Sequence, residues 1–384
     1  MEGAKMKILV TGGAGFIGTH LCRRLLAEGC EVRVLDNFSE QIHGSTNNLA
    51  EDLTNIELIV GDVRNKDIIA RSIEGVDVIV HYAAETGTGQ SMYEISRYEE
   101  VNVMGTLNLI EFLLQNKTNV NKIVVASSRS TYGEGAYKCS EHGSIFPTDR
   151  LDKDMLECNF NPRCPLCDKF VEAIPTKETT PFNPLSYYAL TKQVQEQMIL
   201  MYAKVLGISA FALRYQNVYG PGQSLLNPYM GIIAIFSTLA RNNEEIRIFE
   251  DGQESRDFVF IDDVVEATWR CIDPALTGNA SYNVGSGIST SVIEVASEIV
   301  SYFKSESNII TTGEFRTGDI RHNFADLSKI NNELGYVSKW TFQPGLKSFL
   351  DWTSQQPLNN IGFSESLDEL TNKGLLKKPI KNNS

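Results

Sequence analysis

Short apolar runs and amphipathic stretches alternate along the first half of the chain. Lys7-Ile8-Leu9-Val10-Thr11 is an apolar run ended by glycines, the form of a parallel strand buried on both faces. Residues 16–28 predict a helix, with Ile17, Leu21, Leu25 and Leu26 on one stripe. Further strands are predicted at 31–36, 56–60, 76–81, 122–128 and 210–214, with helices over 100–116 and 186–206. This β-α alternation implies an α/β protein with a doubly wound parallel sheet and right-handed crossovers. The turn Tyr219-Gly220-Pro221-Gly222 stops the last of these strands. Beyond it the pattern loosens, to a helix near 229–242, a strand at 246–249 and a helix near 291–304. The expected domains are therefore 1–218, a smaller C-terminal lobe over 219–356 with 258–283 partly returning to the first domain, and a polar peripheral tail over 357–384. Residues 134–177 are rich in Cys, Pro and charge, and read as an insertion.

Chemistry enters where the first strand meets the first helix. Gly12-Gly13-Ala14-Gly15-Phe16-Ile17-Gly18 fits the Rossmann dinucleotide fingerprint, in which glycines let the backbone approach a pyrophosphate at the helix N-terminus. Asp36 ends the next strand, where a carboxylate takes ribose hydroxyls. No Arg follows it, since Asn37-Phe38-Ser39 comes next, which favours NAD over its 2′-phosphorylated form. Asp62, Val63, Ala83 and Ala84 end the third and fourth strands, where ligands of such sheets bind. Tyr188 and Lys192 stand four apart on one helix face. The ammonium is expected to favour the phenolate and lower the Tyr188 pKa. Ser128, at the end of the fifth strand, offers a hydroxyl opposite Tyr188.

Charge and cysteine content narrow the setting. A net charge of −13 excludes a uniformly basic surface for nucleic acid, so an anionic ligand needs a local cluster of Arg. No apolar run is long enough to span a membrane, and the apolar run after Met1 is too short for a secretion signal, so a cytoplasmic protein is expected. Seven cysteines in a reducing compartment suggest metal before disulfide. Cys139-Ser140-Glu141-His142 and Cys164-Pro165-Leu166-Cys167 are separated by 21 residues and make a Cys₃His set for a closed, structural zinc.

Taken in order, the glycine loop, Ser127-Ser128-Arg129-Ser130-Thr131-Tyr132-Gly133, Tyr188-x-x-x-Lys192, Arg214-Tyr215-Gln216-Asn217-Val218-Tyr219-Gly220-Pro221-Gly222 and Ser255-Arg256-Asp257-Phe258-Val259 resemble the extended short-chain dehydrogenases/reductases. That family contains the nucleotide-sugar epimerases and dehydratases, and the likeness covers about 1–350. The segments 36–44 and 85–94 and the Cys-rich insertion most resemble the dTDP-L-rhamnose 4-epimerase type. The resemblance implies that Tyr188 is the acid/base, that Lys192 binds the nicotinamide ribose, and that Ser128 is the catalytic hydroxyl. The sugar C4 would be oxidised to a 4-keto intermediate and reduced again on its other face. Phe16, Ile17, Asn37 and Asn102 would join the cofactor contacts. Glu85, Thr86, Ser91, Arg129, Asn217, Arg256, Arg316 and Arg321 would face the nucleoside diphosphate sugar. The helices near 93–116 and 186–206 resemble those that pair in family homodimers. Sugar dehydratases of this family place an Asp-Glu pair where Arg129 and Ser130 stand, so elimination lacks its agents here unless Glu85 supplies one. Three alternatives remain: a dehydratase or decarboxylase of the same fold, a net reductase, and a non-catalytic NAD-binding protein.

Overall fold

The structure is a computed structural model and describes residues 5–44, 48–225, 231–358 and 363–380. Seven parallel strands form its centre: β1 (Lys7–Thr11), β2 (Glu31–Asp36), β3 (Ile56–Val60), β4 (Val78–His81), β5 (Lys122–Ser128), β6 (Ser209–Tyr215) and β7 (Asn279–Val284), in the order β7-β6-β5-β4-β1-β2-β3. The order reverses between β1 and β4, which opens a crevice at their carboxyl ends. Successive residues of a strand enter opposite faces, and both faces are buried. Ile8, Val10, Val34, Val80, Val124 and Leu213 belong to one core, and Leu9, Leu35, Ile79, Ile123, Val125 and Ala212 to the other. This is why the strands read as continuous apolar runs.

The helix Phe16–Ala27 packs on the first face beside the helix Ile261–Ile272, with Arg24 paired to Glu266 at 3.0 Å. Residues 258–283 thus lie against the sheet, and β7 closes its edge. The helices Gly105–Gln115 and Tyr187–Leu206 cover the second face. The helix expected over 100–116 begins earlier, at Ile95, and passes through a π-helical turn at Glu99–Met104. The helix expected from 229 runs over Ile232–Arg241, and positions 229 and 230 lie outside the described residues.

The insertion forms a three-stranded antiparallel sheet from Tyr137–Cys139, Gly143–Ile145 and Glu172–Ala173. Buried ion pairs join it to the C-terminal lobe. Arg150 reaches Glu134 at 3.0 Å and Glu250 at 2.8 Å, and Arg321 reaches Glu250 at 2.9 Å. The tail departs from expectation. Of its residues, 359–362 and 381–384 lie outside the described ones, but Phe363–Asn372 is helical and Leu376–Lys377 pairs with Phe315–Arg316. Leu370 is 3% exposed, and Tyr93 donates to Glu369 at 3.0 Å. The helix and strand of the tail are therefore packed on the body, with Ser366, Leu370 and Leu376 buried.

Candidate functional site

A cleft of about 600 Å³ opens at the carboxyl ends of β1, β2, β4, β5 and β6. The glycine loop forms its floor. Gly12 has φ +70°, and a Cβ there would come within 2.8 Å of Ala83 N. A Cβ on Gly18 would come within 2.5 Å of Gly12 O, so only glycine allows the helix to start this close to the turn. Asp36 accepts from Ala14 N at 3.0 Å and from Phe38 N at 2.9 Å, which fixes its carboxylate at the lip of the loop. Gly15, Phe16, Ile17, Asn37, Val63, Ala83 and Ala84 line the same end of the cleft.

Three expected residues of this half stand behind the cleft wall. Asp62 accepts from Asn37 at 2.9 Å and pairs with Arg64, which holds its carboxyl below the usual range despite partial burial. Asn102 is fully buried, accepting from Glu85 N at 2.7 Å and donating to Thr191 at 2.9 Å. Ser91 is buried and donates to Thr88 O at 2.7 Å. The last two brace the loop that carries Glu85 and Thr86 into the cleft.

Ser128, Tyr188 and Lys192 all line the cleft, with the Ser128 hydroxyl beside the Tyr188 phenol. Ser128 ends β5 and accepts from Ser130 Oγ at 2.8 Å. Ser186 caps the helix Tyr187–Leu206, accepting from Ala189 N at 3.2 Å, and so sets the angle of its first turn. That turn points Tyr188 inward, while Tyr187 donates to Glu99 at 2.7 Å. The electrostatics differ from the sequence expectation. Burial pushes the Tyr188 phenol up, and the groups pulling it back are the Ser128 hydroxyl and the Arg129 guanidinium. Lys192 donates to Gln195 at 2.8 Å, and burial brings its amine down to about 7 despite Glu196. The cation expected from Lys192 at the phenol is thus supplied by Arg129 in this structure.

Arg129 donates from Nε to Asn217 at 2.9 Å; burial and Arg256 bring its pKa down to about 9. Two like charges this deep in a cleft favour an anionic ligand between them. Arg256 is oriented by the carbonyls of Ile320 and Arg321, at 2.8 and 3.0 Å. Arg316 pairs with Asp319 at 2.8 Å and also lines the cleft. Arg321 does not. It is 2% exposed and held by Glu250, Asp251 and Asn161, so its charge is neutralised inside the lobe and the sequence expectation for it is corrected. Glu85 lines the cleft but pairs with Arg97 at 2.8 Å. Residues that sequence reasoning passed over also line it: Gln216 and Glu254, and Ser366, Leu367 and Leu370 from the tail. The available signal for Gln216 was its place directly before Asn217, at the carboxyl end of a sheet strand.

Away from the cleft, Cys139, His142, Cys164 and Cys167 bring their ligand atoms within 4.8 Å of one another. Cys139 Sγ lies 3.6 Å from both His142 Nδ1 and Cys167 Sγ, and Cys164 Sγ lies 3.6 Å from His142 Nδ1. The edges of a tetrahedral zinc shell are about 3.6–3.8 Å for such ligands, so the donor set fits that metal. Cys158 is exposed and outside the cluster.

Fold and cleft together define a protein of the Rossmann type, with Ser128, Tyr188 and Lys192 lining its cleft. The chain belongs to the NAD dependent epimerase/dehydratase family, whose model matches residues 8–150 and 167–285. It is 36% identical over 354 residues to the dTDP-L-rhamnose 4-epimerase of Burkholderia thailandensis, covering 91% of this chain and 95% of that one. The UDP-glucose 4-epimerase of Thermotoga maritima, solved with UDP-glucose, superposes with a TM-score of 0.75 at 28% identity, over 91% of this chain and 99% of that one. The UDP-glucose 4-epimerase of Thermus thermophilus, solved with NAD, gives 0.72 at 28% identity over 92% and 100%. Among the described residues, no helix is long and apolar enough to cross a membrane.

Proposed function

We propose that this protein is an NAD-dependent nucleotide-sugar 4-epimerase, with dTDP-L-rhamnose or a related nucleotide sugar as substrate. The observation that carries the reading is the cleft wall where Ser128 and Tyr188 meet beside Arg129 and Ser130, with no free carboxylate at the place of the dehydratase Asp-Glu pair. Glu85, the other carboxylate considered for that role, is paired with Arg97. The relative at 36% identity supports the sugar, and the Thermus thermophilus structure supports the cofactor.

In this reading Gly12, Gly15 and Gly18 hold the pyrophosphate and Asp36 the adenosine ribose. Bound NAD supplies a hydride acceptor that returns the hydride within the same turnover. Tyr188 takes the C4 hydroxyl proton as the carbon is oxidised, and gives it back on reduction. Ser128 hydrogen-bonds the same oxygen and holds the 4-keto group. Lys192, whose amine burial brings down to about 7, would hold the nicotinamide ribose beside Tyr188. Arg256, Arg316 and Asn217 anchor the diphosphate, so the sugar ring turns about a fixed end. Cys139, His142, Cys164 and Cys167 hold a structural zinc that orders the insertion. Ligation through three thiolates fits a cytoplasmic protein, and pairing through the helices 95–115 and 187–206 would make it a homodimer.

Tyr188→Phe tests the reading. It should retain NAD and lower turnover by about 10³-fold or more. Wild-type protein should interconvert two epimers, seen by NMR, without net NADH. Near-normal activity of the variant, or stoichiometric NADH release by wild type, would replace this assignment with another chemistry.

A further inference from the structure

Gln216 follows β6 and precedes Asn217. Its backbone N–H donates to Val284 O at 2.9 Å, so its position is set by the sheet. The residue is 4% exposed and lines the same cleft as Ser128, Tyr188 and Asn217. Both amide atoms, Oε1 and Nε2, are buried without a hydrogen-bond partner. Gly285 makes room for the side chain, since a Cβ there would come within 2.7 Å of Gln216 Cγ. The neighbouring Asn217 differs: its amide oxygen already accepts from Arg129.

A buried amide with both ends unmet destabilises a fold, so its persistence calls for a ligand that completes it. That ligand must offer an acceptor to Nε2 and a donor to Oε1. Phosphate oxygens only accept, so they could not serve Oε1, and Arg256, Arg316 and Asn217 are the groups assigned to them above. Ring hydroxyls both donate and accept.

The geometry points to Gln216 as the residue that binds ring hydroxyls of the sugar, donating from Nε2 to one and accepting at Oε1 from another. This rests on the nucleotide-sugar reading above and extends it to a specificity residue. An amide can exchange its donor and acceptor ends by rotation about its last bond, whereas a carboxylate only accepts and a guanidinium only donates. A site that must hold two epimers of one ring needs such a reversible group.

The test compares wild-type holoprotein with Gln216→Leu by calorimetry, using dTDP-L-rhamnose and UDP-glucose against dTDP and UDP. Wild type should bind at least one sugar nucleotide more tightly than its bare diphosphate. The variant should bind that sugar nucleotide about tenfold more weakly, bind the diphosphate within about twofold of wild type, and keep its NAD. Its melting temperature without sugar nucleotide should be no lower, because the substitution removes an unmet amide. Equal weakening of both ligands, unchanged affinity, loss of NAD (which would assign the amide to the cofactor) or a lowered melting temperature (which would make it structural) each overturns the inference. Wild type that distinguishes neither sugar nucleotide from its diphosphate removes the nucleotide-sugar reading, and this inference with it.

Discussion

On one side of the cleft, Gly12, Gly15 and Gly18 are placed by the sheet beneath them: apolar strands buried on both faces and a helix that starts where only glycine fits. On the other side, Arg256 is placed by a chain of buried polar contacts. Its guanidinium donates to the carbonyls of Ile320 and Arg321; the Arg321 N–H donates to Glu134 at 2.9 Å; Glu134 pairs with Arg150 from the insertion. The first side depends on volume and many small contacts. The second depends on a few charges that must all be present, because a buried charge that loses its partner is costly while a lost methylene is partly accommodated. The same cleft is thus built from one wall that tolerates conservative change in its core and one that does not.

Arg150→Met should break the comparison most sharply. It keeps an unbranched apolar stem but removes the guanidinium, leaving Glu134 and Glu250 buried without that partner. A loss of about 3–5 kcal/mol in denaturant unfolding is expected. Adding Glu250→Gln should recover part of it. A loss below about 1 kcal/mol would mean that the wall is not held by these pairs. Zinc removal comes next. If the Cys₃His cluster orders the insertion, protein in zinc at about 100 times its dissociation constant should be more stable than chelated protein by about 2.7 kcal/mol. Metal analysis should find about one zinc per chain. Protein that is metal-free as purified, with no response to chelator, would end that assignment.

Gly18→Ala probes the other wall, with a smaller expected cost of about 1–3 kcal/mol as the loop shifts away from the new methyl group. Its functional effect should be confined to the cofactor: purified protein should carry little NAD, while the far side of the cleft still takes a nucleoside diphosphate. Retained NAD would show that the loop adapts more easily than a Cβ within 2.5 Å of Gly12 O implies.

The same contrast explains what the sequence disclosed. Six strands of the sheet were legible to within two residues, because a buried parallel strand needs a continuous apolar run; the edge strand Asn279–Val284 was not, since Asn279, Ser281 and Asn283 interrupt any such run. The Cys₃His cluster was legible because metal knuckles have fixed local spacing. The role of Arg321 was not. Its partners Glu250 and Asp251 lie about 70 residues away in sequence, and no local pattern separates an arginine that meets a ligand from one spent on a buried carboxylate. Short paired strands such as Phe315–Arg316 with Leu376–Lys377 have too few residues to show a period. The packing of the tail was not legible for a related reason: its apolar residues are scattered among Lys and Asn, and Leu370 lies beside Gly89, far away in sequence. Even the Tyr188 environment was half legible, since helix register fixed Lys192, but only the fold brings the cation of Arg129 to the phenol.

The smallest effect separates the walls by pH. Burial and the neighbouring Glu250 push Glu254 up to about 7, against the pull of Arg256 and Arg321. The folded state therefore holds this proton more tightly than the unfolded chain does. Its contribution to stability is present below the ordinary carboxyl pKa of about 4.5, and is lost as pH rises through about 7. Between pH 6 and pH 8 the cleft gains a negative charge beside Arg256, which competes with a bound diphosphate for that cation. Affinity for UDP-glucose or dTDP-L-rhamnose, whose diphosphate does not titrate in this range, should fall by about 1 kcal/mol, roughly fivefold. Glu254→Gln should flatten the dependence and leave NAD content unchanged, because Glu254 lines the cleft beside Arg256 and makes no contact with the glycine loop. An equal slope in wild type and variant would place the titrating group elsewhere, and Lys192, at about 7, would be the next residue to exchange.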